Sequence, residues 1–318
     1  MPEVPPVQVT ILRQARLLWP DYSVVANHDY LLRDTSFWGL CDGGALHRHP
    51  LGARWLAPSQ KRLRGRTLSL ASDFTRASFG HALLDGLPRL EAARRAGYSL
   101  EGFDWIVLPM PAHSPTLDQV CAAAGLQGPR IVSPTSVQDF VCDELVVTTF
   151  PGAPGNYGVE TVQFYRNLFG TPPGPAHRRI YLSRQKQARR RLTNADEIES
   201  LLVAEGFEIV VPESDPDVLT KCREATVIAG IEGSNMVHQL FAPAGAVILY
   251  FVDSEWRDLP YVPSIAASAG HACICVVGKK TGTETEDDRW KNAVDFRIEL
   301  HDLTAALAAV RSLIPSRR

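Results

Sequence analysis

The sequence has no strong charge of either sign, no closely paired cysteines and no long apolar run, and each absence closes off a class. Its 33 Lys+Arg against 35 Asp+Glu leave a formal net charge of -2. The surface as a whole is therefore not built to hold a polyanion. No apolar stretch approaches the ~20 residues that cross a bilayer. The opening residues, MPEVPPVQVT, carry neither a charged n-region nor an apolar h-region, so a cytoplasmic protein is expected. The cysteines (Cys41, Cys121, Cys142, Cys222, Cys273, Cys275) include no CxxC pair and read as reduced, mostly buried thiols. Cys273 and Cys275 alternate within the apolar run Ala272–Val277, as strand residues on one face do. His47 and His49 have no third ligand nearby, so no metal centre is expected. Internal repeats and low-complexity tracts are also missing.

What is present suffices for two cored domains: 318 residues, 45% of them hydrophobic. Strands are expected at Val7–Leu12, Tyr22–Val25, Thr67–Ala71, Trp105–Leu108, Arg130–Ser133 and Leu145–Thr149, with irregular strands and loops over Asp29–Gly65. Helices are expected at Phe79–Leu84, Arg89–Ala96 (stopped by Gly97), Leu117–Ala124 and Val159–Phe169. The run Gly170–Gly174, GTPPG, is the best linker and divides the chain into domains 1–172 and 173–318.

Beyond the linker, strands and helices alternate cleanly. Strands are expected at Arg179–Ser183, Phe207–Val211, Val227–Ile231 and Val247–Val252. Between them lie helices at Ala195–Glu205, from Ser214 to about Glu224, and at Asn235–Phe241. Asn194 with Glu197 reads as a capping box, and Ser214 as a second cap. The pattern is that of an α/β protein with a parallel sheet covered on both faces. Such sheets bind ligands beyond the carboxyl ends of their strands, where Arg184, Glu213 and Glu232 fall. The last helix, Leu303–Leu313, is expected to pack back across the domain junction.

Three constellations carry chemistry. His81 and Asp85 sit four apart, one turn of helix, where a carboxylate can orient an imidazole for general-base work. The same spacing also suits a surface ion pair or a buried, satisfied histidine. Gly80 and Gly86 flank the pair and permit close approach by a ligand. The basic loop Arg184, Lys186, Arg189, Arg190, Arg191 follows a strand end, where anions bind. Arg184 is the best placed of these, and the later side chains are expected to face water. Finally, Gly230-Ile231-Glu232-Gly233-Ser234-Asn235 reads as a strand–turn–helix junction. Ser234 or Asn235 can cap its helix, and free backbone N–H groups there suit phosphate. Glu232 fits sugar hydroxyls better than phosphate.

Together these segments resemble glycosyltransferase family 61. FGHALLDGLPRL at Phe79–Leu90 is similar to the family's GHW-x-x-D-x-L-P-R-L motif. IYLSRQKQARRRLTNADEI at Ile180–Ile198 is similar to its Y-[VI]-S-R … R-x-[LI]-x-N-E-x-E stretch. GIEGSNMVHQLFAPAGAVI at Gly230–Ile248 is similar to its G-x-H-G-[AS]-x-[LM]-x-N-x-x-F-x-P-x-G-[AT]. Glu232 stands at the motif's turn histidine and Ala82 at its tryptophan. The resemblance implies a GT-B-like fold of two Rossmann-like domains. It implies inverting, metal-independent transfer from a nucleoside diphosphate sugar, UDP favoured, to a hydroxyl of a glycan or glycolipid. No cofactor is then needed, and bacterial surface polysaccharide synthesis is the expected setting. His81 and Asp85 would be catalytic, with either one the base; Gly80 and Arg89 would face the acceptor. Arg184, Lys186, Arg189, Glu213, Glu232, Gly233, Ser234 and Asn235 would hold the donor. The alternatives are a non-catalytic nucleotide- or sugar-binding protein, and another transferase on the same scaffold. A nucleic-acid module is disfavoured, because Gln185–Leu192 has no aromatic among its arginines.

Overall fold

The computed structural model describes residues 7–19, 22, 25–27, 30–32, 34–35, 59–76, 78–111, 114–133, 138–153, 155–172, 174–187, 189–255, 260–281 and 294–314. Cys41, His47 and His49 lie outside them. The chain divides into two compact units. One comprises Met1–His113 with Leu117–Phe164, the other Ser114–Thr116 with Tyr165–Arg318.

The amino-terminal unit is built on a mixed sheet of β1 (Val9–Leu17), β2 (Val25–Asn27), β3 (Tyr30–Leu32), β4 (Ser59–Ser69), β5 (Trp105–Val107), β6 (Ile131–Val132) and β7 (Gln138–Thr148). Their order is β3-β2-β1-β7-β4-β5-β6, and β8 (Gly152–Ala153) pairs with β9 (Asn156–Tyr157) in a separate two-stranded ribbon. The first three pairings are antiparallel, and β7, β4, β5 and β6 run parallel to one another. Leu17, Leu63, Phe140, Leu145 and Val107 belong to one buried cluster. β4 begins inside the stretch expected to be irregular, and β7 is far longer than Leu145–Thr149. Both strands carry charges that interrupt an apolar pattern but pair across the ladder. Arg62 bonds Asp143 at 2.7 Å, and Arg66 meets Glu144 directly opposite it. Such pairs keep a polar-looking segment in a sheet.

The carboxy-terminal unit has a mainly parallel sheet of β10 (Arg178–Leu182), β11 (Glu208–Val210), β12 (Ala225–Ile231), β13 (Val247–Asp253), β14 (Ala272–Lys280) and β15 (Phe296–Arg297). The order is β11-β10-β12-β13-β14-β15, with only β15 antiparallel. One face buries Tyr181, Val227, Ala229, Leu249 and Phe251 beneath Ile198, Leu202, Leu303 and Leu307. The last helix, Leu300–Leu313, therefore packs on β13 and β14 of its own unit. On the other face Gly230 leaves room for Met236; a Cβ there would stand 2.6 Å from the Met236 sulfur.

Several local expectations change. Asn194 does precede the helix Ala195–Ala204, but its side chain caps nothing. Its amide instead clasps the backbone of Ile298, and Glu197 pairs with Arg297. Tertiary partners have outcompeted the capping box. Ser214 bonds back to Val211, and the next helix starts only at Val218. Cys142 and Cys222 are buried, yet Cys273 and Cys275 are exposed on β14, so the thiols of the described residues are not mostly buried. No described helix is long and apolar enough to cross a membrane.

Candidate functional site

The His81–Asp85 pair lies just beyond the carboxyl end of β4. Past Ser69 the chain turns through Ser72–Thr75, closed by Ser72 N–H donating to Thr75 Oγ1 and that hydroxyl donating to the Ser72 carbonyl. A short helix, Phe79–His81, then widens into a π-turn, Ala82–Gly86. The α-helix expected over Phe79–Leu84 is thus replaced after one turn. Leu87 N–H reaches back five residues to the Ala82 carbonyl at 3.0 Å. Two residues bear on this. Pro88 has no N–H to continue an α ladder. Gly86 is pressed so close that a Cβ would stand 2.9 Å from the Leu70 carbonyl and 2.8 Å from Thr75 Cγ2. Single π-turns of this kind recur at functional sites.

Asp85 is fully buried. Its Oδ2 stands 2.6 Å from His81 Nδ1 and accepts from Ser72 Oγ at 3.2 Å. Its Oδ1 accepts from the Tyr157 hydroxyl at 2.8 Å. A carboxylate taken out of water needs such donors. His81 itself keeps 34% of its side-chain surface, with its ring 4.7 Å from that of Phe74. With Nδ1–H given to Asp85, the lone pair falls on Nε2.

Arg89 sits behind the pair, only 1% exposed. Its guanidinium donates to the carbonyls of Asp85, Thr148 and Thr35 at 2.8, 3.2 and 2.9 Å. Burial lowers its pKa to about 10 against the opposing charges of Asp85 and Asp73. Gly80 is likewise buried. Arg89 therefore braces the site from within.

The second cluster lies at the carboxyl ends of β10 and β12. Arg184 is 7% exposed. Its Nη2 reaches the Arg189 carbonyl at 3.4 Å, and its buried Nε has no acceptor among the described residues. Burial, and then the neighbouring charge of Arg190, hold its pKa below the usual guanidinium value. Arg190 does not face water as expected. It is half-buried and bonds Glu232 at 2.6 Å. Glu232 is thus engaged by an arginine through Oε2. Lys186 and Arg189 are exposed.

The turn at Gly233 differs from a free amide nest. Its φ of 142° suits glycine. Its N–H donates to the Tyr261 hydroxyl at 3.0 Å, and that hydroxyl donates in turn to the Gly233 carbonyl. Glu232 N–H is spent on the Phe251 carbonyl at 2.7 Å. Neither Ser234 nor Asn235 caps the 3-10 helix Ser234–Phe241. Asn235 instead donates to Glu213 at 3.4 Å, and Gln187 does so at 2.5 Å. A pocket of about 400 Å³ opens beside Arg184, lined also by Tyr181, Gln185, Leu192 and Glu199.

Sequence reading missed Ser72, Tyr157, Arg190 and Tyr261. Tyr157 is 72 residues from Asp85 and Tyr261 is 28 from Gly233, and no local pattern announces either contact. For Arg190 a signal existed: it lies in the same basic run as Arg184.

Two comparisons bear on this geometry. The family model described as Glycosyltransferase 61 matches residues 79–249, a stretch that contains His81, Asp85, Arg184, Arg190 and Glu232. The beta-1,2-xylosyltransferase XAX1 of Oryza sativa subsp. japonica is 29% identical over 99 residues. That match covers 30% of this chain and 17% of the rice protein.

Proposed function

The chain belongs to the glycosyltransferase 61 family, and from that premise we propose that it transfers a sugar from a nucleoside diphosphate, UDP favoured, to a hydroxyl of a glycan or glycolipid. The reading takes in the GT-B architecture, inversion at the anomeric carbon, a cytoplasmic location and a role in bacterial surface polysaccharide assembly. The observation that carries it is the buried Asp85 carboxylate held 2.6 Å from Nδ1 of the partly exposed His81. That arrangement supports His81 as the base and Asp85 as the residue that orients it.

The chemistry then runs as follows. His81 Nε2 takes the proton of the acceptor hydroxyl as its oxygen attacks the anomeric carbon. The bond from that carbon to the diphosphate oxygen breaks, and its electron pair leaves with the diphosphate. Charge develops on the leaving group, where fixed cations are worth most. Arg184, buried with an Nε–H that has no acceptor among the described residues, is suited to meet it. Guanidinium groups supply the positive charge in this reading, so a divalent metal is not required.

A thermal-shift and calorimetry panel of nucleoside diphosphates, with EDTA and then with Mg²⁺ or Mn²⁺, tests the donor half. UDP is expected to bind equally with and without metal. Binding only with metal would remove metal independence, and no binding by any nucleotide would remove the donor site. Transfer from a panel of UDP-sugars to glycan acceptors tests the rest. A chain that binds UDP but transfers nothing would be a binding protein.

A further inference from the structure

Two guanidinium groups converge on Gly233. A Cβ on that glycine would stand 2.6 Å from Arg184 Nη1 and 3.4 Å from Arg190 Nη1. The glycine therefore clears the ground that both cations share. Like charges this close repel, and the pKa of Arg184 is lowered in part by Arg190. Something must hold Arg190 in place. Its own backbone is in the left-handed region, φ 54°, which is strained for a side chain of this size. Glu232, the residue before Gly233, is 6% exposed and supplies the hold: Oε2 meets Arg190 Nη1 at 2.6 Å. The charges of Glu232 and Glu213 both act on Arg184, yet it is Arg190 that bonds Glu232, and Arg184 Nε has no acceptor among the described residues.

We propose that Glu232 is a positioning residue for a second anion-binding guanidinium, Arg190, so that Arg184 and Arg190 together grip the leaving diphosphate. The inference rests on the donor-site reading above. Glu232 touches no substrate in this account. It acts through Arg190, fixing the side chain beside Arg184 and stabilising a backbone conformation that would otherwise relax. A guanidinium can keep one edge on a carboxylate and offer its other N–H groups to phosphate.

A double-mutant cycle tests it, with calorimetry of UDP and of inorganic pyrophosphate in EDTA. Arg190→Ala is expected to weaken both ligands about tenfold or more, and Glu232→Ala several-fold. The double variant should be no weaker than Arg190→Ala alone, because Glu232 has nothing left to position. Glu232→Gln keeps an acceptor for Arg190 and should recover most of the affinity lost in Glu232→Ala. Far-ultraviolet circular dichroism and melting temperature check that each variant is folded. Tighter binding by Glu232→Ala would show a carboxylate that merely competes with the ligand, and would overturn the proposal. Losses that simply add in the double variant would overturn it as well. If Arg184→Ala abolishes binding while Arg190→Ala leaves it intact, the donor site stands and this inference falls. If wild-type protein binds neither ligand, both fall.

Discussion

The Thr116 hydroxyl bonds Nε2 of His238 at 3.0 Å across 122 residues of sequence. Nδ1 of the same ring donates to the Asn235 carbonyl at 2.8 Å. The two bonds suit the neutral imidazole, with Nδ1 donating and Nε2 free to accept from the Thr116 hydroxyl. Burial lowers the His238 pKa from 6.5 to about 4, and burial does the same to His271.

Acid should therefore unfold the carboxy-terminal unit early. Both folded pKa values lie below the unfolded one, so the unfolded state binds the protons first. The stabilisation is complete above about pH 6.5 and declines as pH falls toward 4. A shift of this size corresponds to ~3 kcal/mol per histidine at the acid limit. Denaturant titrations at pH 7.5, 5.5 and 4.5 should show it, and His238→Asn should flatten the slope. A pH-independent midpoint in wild type would refute the assignment.

His81→Ala and Asp85→Asn should each reduce turnover by ~100-fold or more, the scale of positioned acid–base catalysis. UDP affinity should hardly change. Because Asp85 acts through His81, the double variant should lose little beyond either single one. Tyr157→Phe removes one hydrogen bond to Asp85 and should cost turnover less than either. Steady-state kinetics beside calorimetry separates these outcomes; a folded His81→Ala enzyme with full activity would take His81 out of the mechanism.

Arg184→Ala should weaken UDP by an amount that Lys186→Ala does not approach. A charge-assisted bond from a buried guanidinium is worth ~1.5–3 kcal/mol, against roughly 0–1 kcal/mol for an exposed cation. Arg184 is buried and Lys186 exposed. Equal losses would mean that the loop attracts anions only diffusely.

Gly86→Ala tests whether the π-turn is built by close packing. The added methyl would meet the Leu70 carbonyl, which cannot swing away as a flexible side chain would. We expect ~1–3 kcal/mol of lost stability, typical of overpacking, with turnover falling further than thermal stability alone explains. A methyl accepted at no cost to melting temperature or rate would show the contact to be soft.

The carboxy-terminal unit was the more legible half, and the reason is physical. Its central strands are buried on both faces, so they read as short apolar runs such as Val247–Asp253, whose seven residues are all buried. Strand β7 carries Asp139, Asp143 and Glu144 among its apolar residues, which hid half its length. The site shows the same division. His81 and Asp85 lie within one turn and could be paired from spacing. Ser72 and Tyr157, which complete the shell of Asp85, are joined to it only by the fold. Caps failed where a distant backbone competed, as Ile298 did for Asn194. Arg190 was misjudged because its partner, Glu232, is 42 residues away.

The widened turn at Ala82–Gly86 has a consequence for how this segment can change over time. A π-turn is an α-turn with one residue more. Deleting a residue between His81 and Asp85 would let the ladder close normally and move the carboxylate from the fourth to the third position after His81, about 100° around the helix. It would still neighbour His81, but it would meet the ring from another direction and lose its present alignment with Nδ1. The segment should therefore accept exchanges of similar volume at Leu83 or Leu84, yet tolerate no gain or loss of length. Its residue count, as much as its residue types, is part of what selection would have to preserve.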